Sequence, residues 1–587
     1  MVRSLRLLAG LRAVRPGMLV LLVLFQLLRA ALVPVSALAT GLVVDQAGAT
    51  AGTALPLALA AFVGALWLGE SVGHALWLVR AHVARQVDGR IRSEVRLALG
   101  SAAALDRVEG AGLRDDVTHV MSTGGARGYE QSLGTATGFQ LARWFDLIEI
   151  AAVAAVLVPL SPVYAAVAVA LMLVIRIVMQ RTWRKEAEAE ADGAGGPRRT
   201  AYWTGLGTGD SVAKEIRIFG LGDWVRQRRR TEAEGYLQPR WRRHTTLLRG
   251  QLLPGGLTLL GAALVLGVPA WAAAQGTITA ADLARYVVAG LGLIGLVGSG
   301  PMAGWHVEYG HVVLAALERI RTRLGTAAPL GGQVDVDEAL DLVDVGFAYA
   351  DGPLVLDELD LRIAPGEVVA VVGPNGAGKT TLMKLLAGLV APTAGRAAVL
   401  PRSAVAVLFQ DFVRYPLPLR ENVALSAPGP DDRAGVVRAL ELAGADDLVT
   451  SLPAGLDTPL SAAFEGGVDL SGGQWQKVAL ARVIYGVQHG RRLLIMDEPT
   501  AHLDAGQEAE FYDRVVKTLA GTTIVLVSHR LSTVRAADRI VLLDGGRIAE
   551  QGSHAELMRL DGTYARMFRL QASRFAAVTP DGPAEIP

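Results

Sequence analysis

The run Gly373-Pro374-Asn375-Gly376-Ala377-Gly378-Lys379-Thr380-Thr381 has the composition of a phosphate clasp. It follows an apolar stretch, Val368 to Val372, and opens another, Leu382 to Leu389. The pattern G-x-x-x-x-G-K-[ST] between a strand-like and a helix-like segment is a phosphate-binding loop. Its glycines let backbone N–H groups close around phosphates, and the helix N-terminus adds partial positive charge. Lys379 is placed to bridge β- and γ-phosphates, and the Thr380 hydroxyl to bind Mg²⁺. So short a pattern also arises by chance, so more is needed.

A second chemical element lies about 120 residues further on. Leu493, Leu494, Ile495 and Met496 read as a buried strand that Asp497-Glu498 close. Asp497 can hold Mg²⁺ directly or through water. Glu498 is placed to polarise the water that attacks a γ-phosphate. A lone Asp-Glu pair is more often a strand cap. With a phosphate-binding loop upstream and Pro499-Thr500 following, the catalytic reading is the stronger.

Between them stands Leu470-Ser471-Gly472-Gly473-Gln474, followed by a helical stretch from Trp475 to Tyr485. This resembles the signature of ABC transporter ATPases, which kinases, GTPases and helicases lack. Further positions of that family match in order. Tyr349 resembles the aromatic that stacks on adenine, and Gln410 the residue that senses Mg²⁺ and communicates with the membrane domain. Ala501-His502-Leu503-Asp504 resembles the dimer-contact loop, and His529 the histidine that contacts the γ-phosphate. The resemblance implies ATP sandwiched between the phosphate loop of one ATPase domain and the signature loop of another. Ser471, Gly472, Gly473 and Gln474 would then present a second helix N-terminus to the nucleotide. One loop and one signature make half of such a device, so a second chain, identical or different, is implied.

The elements that must position these residues are partly membrane-bound. The chain has 587 residues, 51% of them hydrophobic, with a mean hydropathy of +0.35. Six apolar stretches N-terminal to about residue 310 approach or span a hydrocarbon core. They lie near Met18–Val43, Leu55–Val79, Phe139–Leu160, Val163–Met179, Leu252–Ala273 and Ile278–Met302. The third and fourth meet at Ser161-Pro162 and form a hairpin. Arg3, Arg6, Arg12 and Arg15 precede the first span, and the connections near 80–138 and 180–251 are rich in Arg, whereas 44–54 and 274–277 contain no Lys or Arg. That asymmetry places both termini and the ATPase in the cytoplasm. A signal peptide is the competing reading of the first stretch, which is too long for one and is followed by a second span.

Val83, Val87, Ile91 and Val95 recur every four residues with Arg85, Arg90, Arg92 and Arg96 between them, the pattern of an amphipathic helix continuing past the second span. This organisation resembles ABC exporters of the six-span, ATPase-last type. The resemblance implies an all-α six-helix transmembrane domain with long intracellular helices, the type IV exporter fold, followed by an α/β P-loop nucleotide-binding domain. It implies coupling segments near Leu105–Asp116 and over Ala213–Leu221. The expected boundaries are 1–325 for the membrane domain, 326–338 for a linker, 339–575 for the ATPase and 576–587 for a disordered tail. Two departures stand out. Lys379 to Gln410 is roughly ten residues shorter than the family pattern, and Phe464 stands where the family usually has Gly, before Glu465.

There is no Cys, which excludes a structural disulfide, a Cys₄ zinc site and the leader-clipping cysteine protease found in some peptide exporters. A net charge of +1 gives no sign of nucleic-acid binding. The basic residues are mostly Arg amid abundant Ala, Gly and Val, the mark of a GC-rich bacterial genome. The expected function is ATP-driven export of an amphipathic small molecule, peptide or lipid across a bacterial plasma membrane, with ATP and Mg²⁺ as cofactors. The alternative is an importer, for example of siderophore type, on the same fold. An ABC-fold translation or repair factor is disfavoured by the spans.

Charges within the spans are the remaining candidates. Arg29 lies in the first, Glu70 and His74 share a face of the second, and Arg143, Asp146 and Glu149 recur in the third. At a rise of 1.5 Å per residue, Glu149 and Arg29 fall roughly 15 Å deep. An ion there costs at least about 2.5–3.5 kcal/mol, so these groups must face one another or a wet cavity. The first reading pairs Arg29 with Glu149 or Glu70. The second makes a cargo cavity of Arg29, Glu70, His74, Asp146 and Glu149, with Trp305, His306 and Tyr309 lower on the sixth span.

Overall fold

A computed structural model describes residues 6–48, 54–100, 110–121, 132–191, 195–209, 212–250, 252–298, 300–325, 332–333, 335, 337–349, 352–427, 429, 432–499, 515–516, 518–519, 521–528 and 534–576. Contacts divide the chain after Gly325 into a helical unit and an α/β unit.

The helical unit begins with a 3₁₀ turn at Ala9–Ala13, then α1 (Pro16–Gly48) and α2 (Ala54–Gly100). At 1.5 Å per residue α2 is about 70 Å long, more than twice a hydrocarbon core of about 30 Å. Val83, Val87, Ile91 and Val95 are all buried along its second half, while Arg85, Arg90 and Arg96 are exposed, as the four-residue spacing requires. There follow α3 (Ala111–Met121), α4 (Leu133–Leu157), α5 (Pro162–Ala191), α6 (Gly195–Thr208), α7 (Ala213–Ile218) and α8 (Gly222–Gly250). The unit closes with α9 (Leu252–Ala274), α10 (Ala280–Gly298) and α11 (Gly300–Gly325).

Among the described residues α1, α2, α5 and α9 are long and apolar enough to cross a membrane, which makes this a multi-pass membrane protein. The expected third and sixth spans form α4 and α10. The third helix ends at Leu157, three residues before the expected Leu160. The sixth apolar stretch ends in α10 at Gly298, and α11 continues the chain from Gly300.

The helical core gathers Ile150, Val153 and Leu157 of α4 with Tyr164, Ala168 and Met172 of α5 and Tyr286, Ala289 and Leu293 of α10. Pro269 inside α9 has no N–H to offer the carbonyl four residues back. That carbonyl, on Val265, accepts a 2.6 Å hydrogen bond from the Tyr164 hydroxyl instead. Gly134 lets α4 close on α2: a Cβ there would stand 2.3 Å from the Ala84 carbonyl oxygen. Its N–H donates to Asp88 Oδ1 at 2.8 Å.

The α/β unit carries two sheets. One, of order β1-β5-β2-β3, joins β1 (Gly332–Gln333), β2 (Leu340–Ala348), β3 (Leu354–Ile363) and β5 (Ala394–Val399). The other runs β10-β9-β4-β8-β7-β6 through β4 (Val368–Val372), β6 (Val405–Leu408), β7 (Leu493–Asp497), β8 (Thr523–Val527), β9 (Arg539–Asp544) and β10 (Arg547–Gly552). The shortened stretch after Lys379 makes α12 (Lys379–Leu386), β5 and one 3₁₀ turn at Arg402–Ala404 before β6.

Side chains alternate across β7, as strand geometry demands. Leu493 and Ile495 join a core with Leu382, Leu385 and Leu386 of α12. Leu494 and Met496 join the opposite core, built on α13 (Leu419–Ala424), α14 (Arg433–Leu442), α15 (Asp446–Ser451) and α16 (Gly472–Gln488). The chain ends with α17 (His554–Leu560) and α18 (Thr563–Ala576). Most of the expected 326–338 linker and the tail beyond Ala576 lie outside the described residues.

Candidate functional site

The phosphate loop leaves the end of β4 and turns into α12. Gly376 and Gly378 hold φ of 82° and 101°, a region closed to most L residues. Gly378 caps α12 without a side chain, so the first-turn N–H groups are left for a ligand. Lys379 Nζ donates to the carbonyls of Gly373 and Pro374, each at 2.9 Å, and so lies folded over the loop. Thr380 is exposed, while Thr381 is buried with its hydroxyl 3.4 Å from that of Tyr349. Lys384 Nζ stands 5.6 Å from the centre of the Tyr349 ring, a cation–π contact that sequence reasoning missed.

Strand register brings the acids to the loop. Val527 of β8 lies between Val371 of β4 and Asp497 of β7, all parallel, so Asp497 leaves the sheet at the edge where the loop begins. Leu408 of β6 is opposite Met496, which carries Gln410 to the same edge. Gln410 Nε2 donates to Glu498 Oε2 at 3.4 Å. Glu498 sits at φ 49°, unusual for a residue with a side chain. Such a conformation costs about 1–3 kcal/mol and clusters at functional sites. Its N–H donates to Val527 O at 2.8 Å, and the Gln476 amide of α16 donates to the Pro499 carbonyl at 2.8 Å. The turn at Glu498 is therefore tied to the helix that follows the signature.

Burial pushes the Asp497 carboxyl up to about 6, with Glu498 and Asp411 adding to the rise and Lys379 opposing it. Burial likewise lowers the Lys379 ammonium, against the pull of Asp497 and Glu498. The adjacent acids Asp497 and Glu498 at a phosphate clasp suit a divalent cation, whose charge would reverse the rise at Asp497. Among the described residues no group of three or more His, Cys, Asp and Glu side chains forms a metal cage. A cation here would be held by few protein oxygens and by phosphate, the habit of Mg²⁺.

The signature lies at the start of α16, on the face of the sheet opposite α12. Ser471 Oγ accepts from the Gln474 N–H at 3.3 Å and Gln474 Oε1 accepts from the Ser471 N–H at 3.0 Å, a closed capping box. Ser471 and Gly472 are exposed, while Gly473 and Gln474 are half-buried. Phe464 is 53% exposed beside the exposed Glu465. Asp504 and His529 lie outside the described residues.

In the helical unit Arg29 pairs with Asp146 at 2.6 Å and with Glu149 at 3.2 Å, not with Glu70. Arg176 reaches Asp146 at 3.3 Å, and Arg143 reaches Glu308 at 3.8 Å. Arg29 and Asp146 line an open cleft of about 130 Å³, and Glu149 is buried beside them. Glu70 and His74 are exposed and do not line it; the His74 ring bonds the Glu70 backbone carbonyl at 2.8 Å. His306 is buried, its ring stacked on Phe139 at 5.1 Å, and Trp305 stacks on Tyr309 at 5.4 Å. Sequence reasoning missed Arg80 and Arg176 in the cleft, although an Arg directly after the second apolar run and an Arg inside the fourth were the available signals.

Residues 356–501 match the family model described as ABC transporter. The chain is similar to an ATP-dependent lipid A-core flippase of Cupriavidus metallidurans, 41% identical over 41% of this chain and 43% of that protein. It is similar also to the cyclolysin secretion/processing ATP-binding protein CyaB of Bordetella pertussis, 39% identical over 40% of this chain and 34% of that one. The chain thus matches less than half the length of these curated relatives. A solved bacterial Atm1-family ABC exporter with ATP bound shares the fold, with a TM-score of 0.73 and 24% identity over 95% of this chain and 99% of that one.

Proposed function

We propose that this chain, an ABC transporter by its ATP-binding domain and an exporter half by its fold, works as one of a pair that uses ATP to move an amphipathic molecule out across a membrane. The observation that carries this is the joining of two features in one chain. A helical unit with the exporter fold precedes an ATPase unit whose phosphate loop and signature pack on opposite faces of one sheet. A nucleotide on the loop would thus need the signature of a second copy to be enclosed.

Within that reading, Lys379 swings from its own loop carbonyls to β- and γ-phosphate oxygens, and the α12 N-terminus holds them through backbone N–H groups. Thr380, Gln410 and Asp497 would hold Mg²⁺, which supplies charge neutralisation and orients the phosphates. Glu498, held by Gln410, polarises the attacking water. Ser471 and the N–H groups of Gly472 and Gly473 close the site from the partner copy, Tyr349 stacks on adenine, and Asp504 and His529 keep the dimer-contact and γ-phosphate roles their motifs imply. Both termini and the ATPase face the cytoplasm. Import on the same fold is the other direction such a machine can run. Inverted vesicles given ATP on the outside separate the two: export fills them with labelled cargo, whereas import empties them.

A further inference from the structure

The cleft in the helical unit holds more positive than negative charge. Arg29, Arg80, Arg143 and Arg176 line it, against Asp146 alone. Glu149 and Glu308 reach these arginines from outside the lining, so four guanidiniums share three carboxylates. Arg29, Arg143 and Arg176 each have an acid within 4.0 Å, as given above. Arg80 has no such ion pair among the described residues. Its guanidinium lies 5.6 Å from the centre of the Phe139 ring, and its Nε is buried without a hydrogen-bond partner. A guanidinium so placed is a fork for a phosphate or carboxylate.

The rest of the lining is largely apolar, with Phe139, Met179, Trp183, Leu296 and Ala303 beside one uncharged polar side chain, Gln180. Arg80 directly follows the run ending at Val79, Phe139 begins the third apolar stretch, Met179 ends the fourth and Ala303 follows the sixth. All four mark the same edge of the bilayer, where a lipid-like molecule changes from head to tail.

We propose that this cleft receives the anionic head of an amphiphile, phosphate or carboxylate, with Arg80 as the specificity-determining cation and the apolar wall taking the start of the tail. This rests on the transport reading and names its cargo class. Arg80 discriminates by charge, and the apolar wall discriminates against a free anion of the same charge.

Native mass spectrometry of the full chain, released from detergent without nucleotide, tests this with four probes. They are dodecyl phosphate, phosphatidic acid, methyl phosphate and dodecyltrimethylammonium. The inference expects saturable retention of dodecyl phosphate, and loss of about tenfold or more in affinity in R80Q. R80K, which keeps charge but not the fork, should fall between. Phosphatidic acid retained as well points to a membrane lipid as source, and dodecyl phosphate alone to a soluble amphiphile; both support the site. Equal retention of methyl phosphate or of the ammonium, or unchanged binding in R80Q, overturns it. If R80Q does not fold, Ala303→Leu narrows the cleft with every charge in place and must weaken dodecyl phosphate. Retention without any ATP-driven movement in vesicles would defeat the transport reading and leave the site standing. Transport with R80Q-insensitive binding would defeat this inference alone.

Discussion

Gln410 and Glu498 meet side chain to side chain at 3.4 Å, though 88 residues apart, because β6 and β7 are parallel neighbours and both chains leave the sheet at the same edge. The amide fixes one carboxylate oxygen, and the strained turn at Glu498 fixes the backbone behind it. A carboxylate held this way is positioned before substrate arrives, as a water-polarising group requires.

Glu498→Gln should therefore keep ATP binding and lower turnover by about a hundredfold or more. Nucleotide retention and steady-state phosphate release, measured on the same preparation, check this. Near-normal hydrolysis would remove Glu498 from the role.

Asp497 gives a pH signature. Its carboxyl rises in the folded chain from 3.8 to about 6, so the folded state binds a proton more readily than the unfolded one. The linked stability is complete below about pH 4 and is lost as pH rises through 6. Without Mg²⁺ and nucleotide, Asp497→Asn should raise the melting temperature of the ATPase transition at pH 7.5 and give no gain near pH 4. Equal shifts at both pH values would contradict the assignment.

Much of the nucleotide edge was legible from sequence because its chemistry sits in short contiguous motifs, each at the end of an apolar run that becomes a strand. The loop, Asp497 and Gln410 converge because strand order places β4, β8, β7 and β6 side by side, and strand order is not written in spacing. The Lys384–Tyr349 contact was not readable for the same reason. In the helical unit the charged positions were visible and Arg29 with Glu149 was one of two expected pairings, but the choice over Glu70 and the second partner, Asp146, were not. Hydropathy ranks residues by cost of burial, and only the rotation of α1 against α4 decides that Arg29 meets Asp146 and Glu149 rather than Glu70.

That pairing predicts a coupled energetic response. Glu149 is 3% exposed against Arg29, so removing Arg29 leaves a buried carboxylate unpaired, at a cost of about 3–5 kcal/mol. Removing Glu149 leaves Arg29 on Asp146 and costs less. Arg29→Ala and Glu149→Ala should each lower folded yield, and the double variant should lose less than the sum. Strict additivity in detergent melting would show the two to be independent.

Ile218 and Phe219, at the end of the short helix α7, are 79% and 70% exposed. Two large apolar side chains left exposed next to one another suit a docking role. Ile218→Ala with Phe219→Ala should keep basal ATP hydrolysis and lose its stimulation by cargo. Normal stimulation in that double variant would take the segment out of the coupling path.

The account stands on ATP sites shared between two copies and on their coupling to movement across a membrane. Lys379→Ala disables the loop and Ser471→Ala the signature, so each variant alone should hydrolyse and transport almost nothing. Co-expressed in one membrane, the two form mixed pairs in which the loop of the Ser471→Ala chain meets the intact signature of the Lys379→Ala chain. The decisive measurement is ATP-dependent uptake of labelled dodecyl phosphate into inverted vesicles made from that mixture. The account predicts that uptake returns in the mixture and in neither parent. A mixture as inactive as its parents, or one that regains hydrolysis without uptake, would contradict it.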